Sequence, residues 1–153
     1  MAEQLKSIIG ICDGFNFVLP ANMVAETVSG VAVTSNLENP QPWQSGVLSW
    51  NGLQVPVVSI EQVVIGRQPR LRGSHVVVLR GSTNVDTLPF YGIPVQTMPN
   101  EYRLMAQMEI QQAPIPDTFN YVQAIAQIRG VNCIIPDVNA LEQQIAGDLA
   151  VGA

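Results

Sequence analysis

One histidine, His75, stands between Ser74 and three valines, and it supplies the chain's only imidazole. Triad-type catalysis would need a hydroxyl or thiol within reach of that ring and a carboxylate to orient it. No Gly-x-Ser-x-Gly element is present. The two thiols, Cys12 and Cys133, lie in apolar runs, where cysteine usually behaves as a small buried hydrophobe. His75 is therefore expected at a strand edge with no catalytic role. One histidine and two distant cysteines do not make a zinc set, and no dense Asp/Asn/Gly run suggests a calcium loop. No metal is expected. The phosphate-cradling patterns Gly-x-x-x-x-Gly-Lys and Gly-x-Gly-x-x-Gly are absent. Lys6 is the sole lysine, which leaves little scope for a Schiff base or phosphate clamp, so no cofactor is expected. The 12 carboxylates show no spacing that marks an acid–base pair. The chemistry on offer is that of binding rather than catalysis.

Two residues stand out for binding. Trp50 directly precedes an Asn51-Gly52 turn, and tryptophan is enriched at interface hot spots. Glu26 is an acid amid apolar residues in Met23-Val24-Ala25-Glu26-Thr27-Val28. It reads either as a solvated end of an element or as a polar mark on an apolar face.

Composition narrows the partner. Charged residues make up 12% of the 153, about half the roughly 25% of an ordinary domain. The polar surface must come largely from 14 Gln and 10 Asn. A net charge of −5 argues against nucleic acid, which selects a basic face. Four of the seven basic residues, Arg67, Arg70, Arg72 and Arg80, lie in or beside one mid-chain stretch that reads as a solvated linker. No apolar run approaches the about 20 residues of a membrane span. No basic region followed by a long apolar stretch marks a signal peptide. With no Cys-x-x-Cys spacing, a reducing, cytoplasmic setting is expected. A disulfide between Cys12 and Cys133 stays open, because sequence gives no distance.

The elements that must hold these residues read as short strands. Residues 7–12 and 14–19 are apolar and bounded by Asp13-Gly14 and Pro20. Residues 21–27 suggest a short helical turn, 28–34 a strand and 35–44 a Pro- and Asn-bearing loop. Asn51-Gly52, flanked by Val47-Leu48-Ser49-Trp50 and Leu53-Gln54-Val55, predicts a type I′ hairpin. Ser59 with Gln62 three residues on forms a capping-box pattern for a short helix. A linker follows over 66–73, a strand over 74–80 and a polar loop over 81–87. Asp137 can cap a C-terminal helix in which Val138, Leu141, Ile145 and Leu149 share one face.

The second half echoes the first. Leu19-Pro20 recurs as Ile93-Pro94, and Pro40 and Pro42 as Pro114 and Pro116, at an offset of 74 (93 − 19). Trp43, Gly52 and Ser59 recur as Tyr121, Gly130 and Asp137 at an offset of 78 (130 − 52). A duplication with Asp117-Thr118-Phe119-Asn120 inserted accounts for both. The expected organisation is a single domain over 1–153, with a first β unit at about 14–66 and a second at about 74–146. A unit of about 70 residues is marginal alone, so the two should bury apolar faces together.

Residues 17–66 resemble the CheW-like coupling domain of bacterial chemosensory systems. The resemblance rests on Phe17-x-Leu19-Pro20-x-x-x-Val24-x-Glu26, Gly46-Val47-Leu48-Ser49-Trp50-Asn51-Gly52 and Val55-Pro56-Val57-Val58-Ser59. Looser matches through Tyr91-Gly92-Ile93-Pro94 and from Tyr121 to Leu141 extend it over about 8–146. It implies a mainly β fold: two intertwined, SH3-like, five-stranded β-barrels around a shared core, with short helices and a C-terminal helix. It also implies a non-catalytic adaptor. The partners would be a chemoreceptor (methyl-accepting protein) signalling tip, a histidine kinase regulatory domain and other CheW-like domains, with no membrane insertion. Glu26, Val28, Trp50, Asn51 and Leu53 are the expected partner-binding residues. Asn51 replaces the family's turn arginine, so that arginine's ion pair with the acid at Glu26 cannot form as such. Ser59 and Gln96 also replace charged family positions. The pattern is that of a divergent or accessory coupling protein, and the expected setting is a chemosensory pathway for type IV pili and twitching motility. Two other classes stay open: a small β-barrel ligand-binding module or hydrolase whose site forms only in three dimensions, and a repeat within a larger array.

Overall fold

The computed structural model describes residues 4–29, 33–34, 42–68, 74–82, 86–105, 111–128 and 130–151. Strand β1 (Gln4–Ile11) turns through Asp13-Gly14 into β2 (Asn16–Pro20). A single 3-10 turn, Ala21–Met23, leads to β3 (Val24–Ser29) and the short β4 (Val33–Thr34). Then come β5 (Gln44–Trp50), β6 (Leu53–Val58), α1 (Ile60–Ile65), β7 (His75–Arg80), β8 (Phe90–Val95), β9 (Asn100–Met105) and β10 (Gln111–Ala113). The hairpin β11 (Val122–Ile128) and β12 (Val131–Pro136) precedes α2 (Val138–Val151).

The helical turn expected over 21–27 is confined to 21–23. From Val24 the chain is strand, because Val24, Glu26, Thr27 and Val28 pair with Leu79, Val78, Val77 and Val76 of β7. Such pairing overrides weak local propensity in β-branched segments. The expected loop lies outside the described residues over 35–41, as does much of the linker over 69–73.

The strands form two six-stranded sheets, ordered β10-β11-β12-β2-β1-β9 and β3-β7-β8-β6-β5-β4. In the second sheet the edge strands β3 and β4 are neighbours in the chain. Ser29 and Val33 can therefore be no more than about 15 Å apart, given 3.8 Å per Cα step. A sheet whose two edges are held that close must curl. The first sheet has β9 and β10 at its edges, separated by residues 106–110. With each split edge counted once, both curled sheets have five strands, the number the resemblance implies. For brevity, the sheet of β3–β8 is the first barrel and the other the second.

The hairpins cross over. The β1–β2 hairpin joins the second barrel and β7–β8 joins the first. Each is seated by a parallel pairing, Ile134↔Phe17 in one and Val57↔Gly92 in the other. This exchange is why β7 reads as an unbroken apolar run. Val76 and Val78 face the first barrel's interior with Leu48, Val55 and Val57. Val77 and Leu79 face a central core with Phe17, Leu19, Tyr91, Ile93, Ile134, Leu141 and Ile145. A strand buried on both faces loses its alternation.

The two hairpins that end each half match in detail. Asn51 (φ 49) and Gly52 (φ 76) make the type I′ turn, and Gly130 (φ 79) holds the equivalent place. A bulge falls at Gln44/Gly46 in β5 and at Val122/Ala124 in β11. The Ser59 N–H donates to the Trp43 carbonyl at 2.7 Å, and the Asp137 N–H to the Tyr121 carbonyl at 2.8 Å. Ser59 Oγ caps α1 by accepting from the Gln62 N–H at 3.4 Å, and Asp137 Oδ1 caps α2 by accepting from the Ala140 N–H at 3.2 Å. The reciprocal half of the capping box is not made: the Gln62 side-chain oxygen accepts from Gln68 instead.

Candidate functional site

Strand direction gathers the sequence's binding candidates at one end of the first barrel. β5 and β6 are antiparallel, with Trp50 paired to Leu53 across the turn. β8 runs parallel to β6, so its first residue, Phe90, lies at the same end. β7 is antiparallel to β8 and ends there at Arg80, opposite Phe90. β3, antiparallel to β7, starts there, and a bulge between Val24 and Glu26 alters its register. Bulges re-aim side chains in this way.

The result is a compact rim. The Trp50 indole and Phe90 ring meet edge-on, with centroids 4.9 Å apart at 62°. Trp50 Nε1–H donates to Glu26 Oε1 over a long 3.4 Å. Leu53 is 42% exposed, and Asn51 is exposed at the turn. Val28 lies deeper: it pairs with Val76 and packs half-buried on the barrel interior. Four of the five expected residues thus share the rim, and the fifth supports it from below. Phe90 was not singled out from the sequence. Its role depends on the phase of β8 against β7, which only the register reveals.

Beside the rim, β6 and β8 diverge. They pair only at Val57↔Gly92, and ahead of that point a cleft of about 260 Å³ opens. Leu53, Val55, Pro56, Pro89, Phe90 and Leu149 supply its apolar lining, with Gln44, Gln54 and Thr87 as polar members and, among the described residues, no charged side chain.

Several titratable groups away from the rim are engaged in internal contacts. Ser74 Oγ lies 2.8 Å from His75 Nδ1 and 2.7 Å from the Gln96 carbonyl. A carbonyl only accepts, so the single hydroxyl hydrogen goes to Gln96 and Nδ1 must donate to Ser74. In that arrangement the imidazole and hydroxyl tie the residue before β7 to the residue after β8. Cys12 and Cys133 are free and buried. Burial, then the charges of Glu61 and Asp13, pushes the Cys12 thiol well above its ordinary value, and burial raises Cys133. A thiol held protonated is a poor nucleophile. Among the described residues no group of His, Cys, Asp and Glu could hold a metal.

Two buried acids were not anticipated. Glu142 on α2, 0% exposed, accepts from the Ser82 N–H at 2.7 Å, the Ser82 hydroxyl at 3.2 Å and the Tyr91 hydroxyl at 2.8 Å. Burial, then the Glu142 charge, pushes the Tyr91 phenol far above its usual range. Glu61 on α1 accepts from the Asp13 N–H at 3.2 Å, and Arg67 pairs with Asp13 at 3.1 Å. Both acids serve as internal ties. α2 is also tied to the residue preceding β5: Trp43 Nε1–H donates to Asp148 at 2.7 Å.

Comparison with known proteins places this architecture. Fifteen solved chains match. Among them is the scaffolding protein TtCheW from Thermoanaerobacter tengcongensis, at a TM-score of 0.68 and 16% identity over 88% of this chain and 84% of that one. That likeness establishes the fold. No curated protein sequence matches significantly. The family model of the CheW-like domain matches residues 11–146, from the end of β1 into α2. By that match, which spans both barrels, the chain belongs to the CheW-like domain family.

Proposed function

We infer that the chain is a non-catalytic adaptor that joins a chemoreceptor signalling tip to a histidine kinase regulatory domain in a chemotaxis-like array. Membership of a family with a scaffolding relative supports this reading. The observation that carries it at residue level is the rim where Glu26, Trp50, Asn51 and Leu53 meet. There an exposed leucine and a half-buried tryptophan stand beside a carboxylate at one end of a rigid barrel. Aromatic and apolar anchors with a polar margin are the usual anatomy of a binding surface. The mechanism is positional. The adaptor transmits receptor state by binding one receptor conformation better than another, since only differential affinity moves an equilibrium.

The protein would act in the cytoplasm, where such tips and kinases reside. The finer assignment, to a pathway controlling type IV pili and twitching motility, rests on the overall family resemblance; Asn51, Ser59 and Gln96 mark the chain as divergent and point to no particular pathway. A pull-down of receptor tips and kinase regulatory domains by the folded chain tests the adaptor reading. Capture of both supports it, and capture of neither refutes it. Deletion of the gene followed by a twitching assay tests the pathway, and unchanged twitching would remove it.

A further inference from the structure

The carboxylate of Glu26 is exposed, and its one hydrogen bond among the described residues is the long Trp50 indole bond to Oε1. Arg80 ends its strand at the same rim, but its Nη1 is spent on the carbonyls of Asn22 at 2.9 Å and Val24 at 2.7 Å. Among the described residues no cation lies within 4.0 Å of Glu26. The Glu26 carboxylate therefore stands without a cation against the Trp50–Phe90 ring pair, and that pair leads through Phe90 and Leu53 into a cleft with no charged lining among the described residues.

We propose that this rim receives an arginine side chain from a partner segment, its guanidinium against Trp50 and paired with Glu26, while apolar neighbours of that arginine enter the cleft between β6 and β8. Arginine fits better than lysine for three reasons. Its planar fork matches a carboxylate bidentately, it stacks on indole, and it sheds water more easily than an ammonium. The second carboxylate oxygen, Oε2, is available for such a fork. The cleft favours uncharged residues beside the arginine, because a charge there would be desolvated without a partner. The proposal rests on the adaptor reading for its biological setting but not for its chemistry.

The probe is a capped peptide, Gly-Ser-Leu-Arg-Val-Ser-Gly, titrated into the full-length protein while the Trp50 indole N–H is followed by NMR. Its citrulline and lysine counterparts serve as controls. The expected result is a saturable shift of the Trp50 signal. Affinity should fall about threefold to tenfold with citrulline, as one exposed ion pair plus a cation–π contact implies, and less with lysine. Glu26→Gln keeps an oxygen for the indole and removes the charge, so it should abolish the preference for arginine over citrulline. Equal binding of arginine and citrulline peptides, a preference that survives Glu26→Gln, or no Trp50 shift would each overturn the proposal. Receptor or kinase capture that persists in Glu26→Gln and Trp50→Leu would overturn it while leaving the adaptor reading intact. Arginine-dependent binding without receptor or kinase capture would do the reverse.

Discussion

Asn51 shows how a single residue shapes the rim. It occupies φ 49, a left-handed conformation that costs most side chains about 1 kcal/mol or more but that asparagine and glycine tolerate. Asn51→Ala should therefore destabilise the protein by about 1 kcal/mol, and Asn51→Gly should be near neutral, as read by urea midpoints. The two thiols give a second prediction at this scale. Buried and held protonated, Cys12 and Cys133 should resist iodoacetamide in the native protein and react readily in denaturant. Fast native labelling of either would contradict the burial described. Glu61 yields a pH prediction. Burial raises its folded value above the ordinary 4.5. The native state thus binds the proton more tightly than the unfolded state. The stability contributed by that proton is complete below 4.5 and is lost as pH rises through the raised value. Glu61→Gln should remove this downward slope, seen as a smaller change in midpoint than wild type between mildly acidic and neutral pH.

Elements explain what could be read in advance. The β5–β6 hairpin was legible because its instruction is local: Asn51-Gly52 fixes the turn, and the apolar phase fixes the face. The α2 stripe was legible for the same reason, since Leu141 and Ile145 repeat at helical spacing and both are buried. Ser59 and Asp137 announce their helices as caps. What was not legible is non-local. Glu142 reads as an ordinary solvated helix residue, and its partners Ser82 and Tyr91 lie 60 and 51 positions away. Glu142 fastens α2 to the segment between β7 and β8. Glu142→Ala would leave a buried phenol and N–H without their acceptor, at a cost of about 3 kcal/mol in a urea titration. Glu142→Gln keeps an acceptor and should cost less. Likewise, the Trp50–Glu26 contact spans 24 positions, so sequence could nominate both residues but not join them.

The whole molecule is organised by exchange: each half lends its first hairpin to the other half's barrel. The bulges, turn glycines, caps and carbonyl acceptors of β5–β6 and β11–β12 match at one offset, as a duplication predicts. The exchange itself leaves no trace in periodicity, because it depends on pairings such as β1 with β9, which are distant in sequence. The low charge content bears on recognition at this scale. An amide-rich surface offers weak long-range steering, so affinity should rest on the rim and cleft and depend only mildly on salt. A steep fall in affinity between low and moderate ionic strength would show a larger electrostatic share.

The measurement that tests the account most directly is a titration of the folded chain against a chemoreceptor signalling tip and a histidine kinase regulatory domain, with wild type beside Leu53→Asp. The substitution places a charge at an exposed position on the rim, outside all three buried hydrophobic clusters. Saturable binding by wild type is expected, with a loss of at least one partner in the variant at unchanged thermal stability. Wild-type protein that is folded and binds neither partner, or a variant that binds both as wild type does, would contradict it.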